Sequence, residues 1–166
     1  MHMADALLTP AVAGVMYAAS AVVAGASIVE LHKEEKQDLT SAAKKLPTMA
    51  VMSALVFAGQ MINYTIPGTG SVVGPWAGFL SMIVILTIQC LFFADGGLLA
   101  LGANVWNMAF YGCFVGYFLI YRPLMLSRCF ARRGERAANR LKITLASVLG
   151  CVLTLQLGAF SVVLET

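Results

Sequence analysis

LPTMAVMSALVFAGQMINYTIPGTGSVVGPWAGFLSMIVILTIQCLFFA, residues Leu46–Ala94, is 49 residues of chain without one Asp, Glu, Lys, Arg or His. About 20 consecutive apolar residues carry a helix across the hydrocarbon core of a bilayer, so this run is long enough for two crossings. Its middle, Asn63-Tyr64-Thr65-Ile66-Pro67-Gly68-Thr69-Gly70-Ser71, is rich in turn formers. It separates a crossing over about Leu46–Ile62 from one that Pro75 can open and that runs to about Phe93.

Working outward, Ala6–Val29 and Ile143–Leu164 are also free of charged residues. Spans are expected at about Thr9–Leu31, Leu98–Tyr121 and Ile143–Leu164 as well, giving about five in all. The composition agrees: 60% of residues are hydrophobic and 11% charged, with mean hydropathy +0.83, where a soluble domain is about a quarter charged. The expected fold is an all-α polytopic transmembrane helix bundle, one domain over residues 1–166. No room is left for a soluble ATPase, so any ATP hydrolysis falls to other subunits.

In the first span Gly14, Ala18, Ala21 and Gly25 recur at spacings that let another helix approach closely. That helix could belong to a partner or to this chain. The connector His32–Lys45 carries four lysines, and Arg122–Lys142 carries seven basic residues against one acid. Positive residues in short loops resist translocation, so both connectors are expected in the cytoplasm and the amino terminus outside. Three spans between them would put them on opposite sides: either one segment is re-entrant, or the charge rule fails here, or a crossing expected near Ser71–Gly74 is absent from this chain. Gln60, Gln89, Asn104, Asn107 and Gln156 sit at depth, where their amides need partners, so they are expected to face the bundle interior.

Several chemistries are excluded. Cysteines 90, 113, 129 and 151 form no CxxC pair and read as packing residues. Gly68-Thr69-Gly70-Ser71 lacks the lysine of a phosphate-binding loop. No histidine has a nucleophile beside it, and His32 reads as a solvated residue among lysines and acids. Asp95, next to Gly96-Gly97, reads as a helix-cap acid.

The first two residues are different. In Met1-His2 the α-amine, the amide nitrogen between the residues and the imidazole can close two fused chelate rings around one ion. Three nitrogens in a plane favour Ni(II) or Cu(II), with Co(II) possible, and affinity should fall in acid because protons must leave. Met1–Val29 has no basic stretch ahead of its apolar run, so the terminus is expected to escape signal cleavage. Histidine in second place also blocks removal of Met1. Asp5 could orient the imidazole, or simply be an acid favoured at a helix start.

Met1-His2-Met3-Ala4-Asp5, Ile66-Pro67-Gly68-Thr69-Gly70-Ser71, Gly74-Pro75-Trp76-Ala77-Gly78, the run Phe93–Asn104 and Leu155-Gln156-Leu157-Gly158-Ala159-Phe160 resemble the CbiM/NikM family over nearly the whole chain. These are the substrate-capturing S components of energy-coupling factor (ECF) transporters for cobalt and nickel. The resemblance implies Ni(II) or Co(II) as transported substrate, nickel first, held by Met1 and His2, with the loop from Asn63 to Ser71 closing over it. It also implies a transmembrane coupling protein, cytoplasmic ATPase subunits and a small accessory membrane subunit, in a prokaryotic inner membrane. Family members add a loop histidine on a short helix after the stretch matching Ser71, and a further helix at the carboxyl end. Neither has a counterpart in this sequence, as expected of a shortened member or of an incompletely represented one. The alternative expectation is therefore a membrane assembly subunit that transports no metal.

Overall fold

The computed structural model describes residues 3–37, 39–61, 73–127 and 135–166. A short 3-10 turn, Asp5–Leu7, is followed by five long helices: α1 (Pro10–Gln37), α2 (Leu39–Met61), α3 (Pro75–Phe93), α4 (Leu101–Leu126) and α5 (Glu135–Glu165). Among the described residues, α1, α3, α4 and α5 each hold a stretch long and apolar enough to cross a membrane. Their large apolar side chains point outward as lipid-facing residues do: Val22, Phe92 and Leu119 are 72%, 77% and 67% exposed.

The third expected span matches α3 at both ends. Pro75 starts it, since a first-turn residue needs no amide hydrogen. It ends where Ala94 enters the left-handed region at φ 51° and Asp95 N–H returns to the Gln89 carbonyl at 3.1 Å. Asp95 thus lies just past a helix C-terminus rather than at a helix start. The connector His32–Lys45 is also corrected: α1 continues to Gln37 and α2 starts at Leu39. Pairs three residues apart, Glu30 with Lys33 at 2.7 Å and His32 with Glu35 at 3.5 Å, support helix there despite its polarity. From Val105 to Tyr121, α4 is π-wound, and Arg122 N–H bonds to the Tyr117 carbonyl five residues back. That winding brings side chains four apart nearly into line, as with Trp106 and Phe110, whose rings stack at 4.2 Å.

Cross-helix contacts fix the directions. Tyr17 Oη donates to the Leu98 carbonyl and Ser20 Oγ to that of Gly102 at 3.0 Å, so α1 and α4 begin at the same face. Lys45 pairs with Glu34 where α1 meets α2 at the other end. Lys142 of α5 donates to the Met125 and Ser127 carbonyls at the end of α4. Late in α2, Phe57 meets Phe93 at the end of α3, ring centroids 5.4 Å apart. Hence α1 and α4 leave the face that holds the amino terminus, and α2, α3 and α5 run toward it. Because α2 and α3 run the same way, Met61 and Pro75 lie toward opposite faces. The ends of α1 and α4 accordingly put both basic connectors at one end of the bundle. Ser71 and Val72, near which the missing crossing is expected, lie outside the described residues.

The core is a layer between α2, α3 and α4 built on Val56, Phe79, Met82, Leu86, Cys113 and Phe114. Asn104, Asn107 and Gln89 are buried as expected. Gln156 is not: α5 packs mainly on α4, and the amide lies on the exposed side. The side chain of Gln60 lies outside the described residues. Gly14, Ala18, Ala21 and Gly25 all lie on an exposed face of α1, and a Cβ built on Gly14 or Gly25 would meet nothing within 4 Å. The glycine that does bring helices together is Gly102, where a Cβ would sit 2.8 Å from Tyr17 N and 3.0 Å from its Cα. Gly102→Ala should push α1 off α4 and cost about 1–3 kcal/mol, as overpacking does. Thermal unfolding in detergent checks this against Gly14→Ala, which should be neutral or slightly stabilising.

Candidate functional site

From Met3 onward the amino-terminal segment is seated in the bundle. Met3 is 3% exposed and packs in a cluster with Leu8, Ala13, Ala100 and Ala103. Its backbone is held on both sides by the amide of Asn104: Met3 N–H donates to Oδ1 at 2.7 Å, and Nδ2 donates to the Met3 carbonyl at 3.2 Å. Gly97 N–H reaches the same carbonyl at 3.1 Å. A primary amide offers a donor and an acceptor side by side in a plane, so Asn104 here does what a neighbouring strand would do.

Asp5 completes the seat. It opens the 3-10 turn, and its Oδ1 accepts Ala100 N–H at 2.9 Å, tying the segment to the start of α4. The Gly96-Gly97 pair is required by this fit. Gly96 adopts φ +94°, favoured by glycine. A Cβ on Gly97 would fall 1.9 Å from Asp5 Oδ1 and 2.5 Å from Asp5 N, space that a side chain cannot share. Tyr17 Oη on the Leu98 carbonyl holds the same loop against α1.

Met1 and His2, the candidate ligands, lie outside the described residues, as do Asn63 and Ser71 of the loop. The seat fixes Met3, the residue next to the ligands. Met3 N–H is itself committed to Asn104 Oδ1. Among the described residues no group of three or more His, Cys, Asp or Glu could hold a metal. His32 is exposed at the opposite face, paired with Glu35. Asn104 was legible only as a deep amide in need of a partner, and Gly97 only as part of a break.

The chain matches, over residues 2–166, the family described as cobalt uptake substrate-specific transmembrane region, CbiM. This chain belongs to the CbiM family. The relatives of this family are named for metal transport, and this chain is a multi-pass membrane protein. It is 42% identical over 159 residues, 89% of its length, to a protein of Archaeoglobus fulgidus named as a putative fused nickel transport protein, NikMN, and covers 50% of that protein. It is 30% identical over 161 residues, again 89% of its length, to the fused nickel transport protein NikMN of Rhodobacter capsulatus, covering 42% of it. The chain therefore spans about half the length of these relatives. A crystal structure of a truncated transition metal transporter superposes with a TM-score of 0.76 at 32% identity, covering 99% of this chain and 73% of that one.

Proposed function

We propose that this CbiM chain is the metal-capturing membrane component of an ATP-driven ECF-type transporter that takes up a divalent transition metal, nickel before cobalt. The Asn104 clamp on the Met3 backbone carries this reading. It fixes the residue next to Met1 and His2, whose three nitrogens would form a planar set that suits Ni(II) better than Co(II). The loop from Asn63 to Ser71 closes over the ion, and Asp5, besides holding Ala100, lies within the same segment as the imidazole it would orient. Nickel here is cargo, bound at one face and released at the other.

The positive-inside rule supports an external amino terminus in a prokaryotic inner membrane, since both basic connectors lie at the opposite end. Partner subunits supply the rest: a transmembrane coupling protein, cytoplasmic ATPases and a small accessory membrane subunit. The outward stripe of Gly14, Ala18, Ala21 and Gly25 suits the coupling protein, because small residues allow close helix approach in lipid. Calorimetric titration of the purified protein, with its native amino terminus, against Ni(II) and Co(II) tests the reading. Nickel should bind more tightly than cobalt, and both more weakly as pH falls, because the amine and amide must lose protons. No heat of binding with either ion would overturn metal capture and leave the assembly subunit in its place.

A further inference from the structure

At the amino-terminal face α4 and α5 are joined by an acid and an amide whose hydrogen bonding does not close. Asn107 Nδ2 donates to Glu165 Oε2 at 2.8 Å. The two residues are 7% and 6% exposed. Their other oxygens, Asn107 Oδ1 and Glu165 Oε1, are shielded from solvent and have no hydrogen-bond partner among the described residues. Both are acceptors when the carboxyl is ionised, so they cannot bond to each other. Two buried orphan acceptors on a single bonded pair, one of them carrying charge at the end of a membrane span, form an unstable arrangement.

No described Lys, Arg or His lines the cleft on which Glu165 lies, a space of about 450 Å³ between α1, α4 and α5. From α1 it receives only Ala11, Val12, Val15 and Met16. The one other titratable side chain on it, Tyr111 of α4, is paired with Ser161 of α5 at 2.6 Å.

We propose that a single proton joins the two orphan oxygens, so that Glu165 is a proton-binding site held as the neutral carboxylic acid. Its O–H at Oε1 donates to Asn107 Oδ1 while Oε2 accepts from Nδ2, closing a two-bond ring between α4 and α5. The proton comes from water at the amino-terminal face, and ionisation returns it there, leaving the carboxylate bonded, among the described residues, only to Asn107 Nδ2. The ring fastens α5 to α4 one turn beyond Asn104. It is a proton site separate from the nitrogen set proposed for the metal, and it stands whether or not metal is captured.

Infrared spectra of the purified, metal-free protein at neutral pH, in H₂O and D₂O, test this. The wild type should show a carboxylic-acid C=O band that shifts in D₂O and is absent from Glu165→Gln. Glu165→Gln, whose amide keeps one donor and one acceptor toward Asn107, should unfold near the wild-type temperature, while Asn107→Leu should unfold at a lower one. If Glu165→Gln instead removes a carboxylate band and leaves the acid region unchanged, Glu165 is ionised and the proposal fails. Where Asn107→Leu does not fold, the wild-type and Glu165→Gln spectra still decide.

Discussion

Nickel binding should be lost when His2 is replaced by alanine, and lost equally when a single residue is added ahead of Met1. The two changes act on different donors. His2→Ala removes the imidazole and leaves amine and amide. The extension leaves the imidazole but carries the α-amine out of reach and places an extra amide in its former position. Removing only an outer hydrogen-bond partner of a metal ligand costs about 10–100-fold in affinity, so loss of a ligand from a set of three should exceed about a hundredfold. Neither change touches Met3, Asp5 or Asn104, so the bundle should unfold at its usual temperature. Calorimetry reads the affinity and thermal unfolding reads the fold. Equal nickel affinity in the wild type and both variants would remove the amino-terminal site.

Much of the fold was legible because lipid imposes a simple rule on composition. Charge-free runs marked the helices, and Pro75 with Ala94-Asp95-Gly96-Gly97 marked both ends of α3. The connectors were less legible because charge argues for water, not against helix: Glu30 and Lys33 extend α1 on the solvent side as readily as leucines do within lipid. Gln156 was misassigned for a related reason. An amide inside an apolar run needs a partner, but sequence alone does not say which side of a sparsely covered helix faces outward. The direction of α2 and α3 was beyond local pattern and came from contacts between distant residues, Phe57 with Phe93 and Lys45 with Glu34.

The site divides in the same way. The chelate proposed at Met1-His2 is read from covalent spacing, which sequence contains. The seat of Met3 beside it depends on a residue about a hundred positions away, and that pairing is a property of the fold. Asn104 and Gly97 carry no chemical signature of their own; they matter because Met3 and Asp5 arrive beside them. The Gly96-Gly97 pair signalled a break correctly, yet the reason for the second glycine is steric and lies in another part of the chain. Glu165 directly follows the last charge-free run, yet its side chain is turned in toward Asn107.

Gly97→Val isolates the contribution of that seat. The added side chain must occupy volume now held by the Asp5 carboxylate and backbone nitrogen, and since the overlap includes main chain, no rotamer relieves it. The segment should leave its place, giving up the Asn104 clamp, the Gly97 bond to the Met3 carbonyl and the Asp5 bond to Ala100. The three chelating nitrogens are covalently local and survive, so nickel binding should weaken without vanishing. What is lost is order: fixing backbone costs about 1–2 kcal/mol per residue, so freeing Met3 to Asp5 should cost roughly 3 kcal/mol, about a hundredfold in affinity. The variant's affinity should approach that of a free peptide with the sequence of residues 1–8. Competition with a soluble chelator measures both, and α1–α5 should keep their helical circular dichroism. A Gly97→Val protein that holds nickel as tightly as the wild type would mean that the seat contributes nothing to capture and that the terminus works as an untethered chelate.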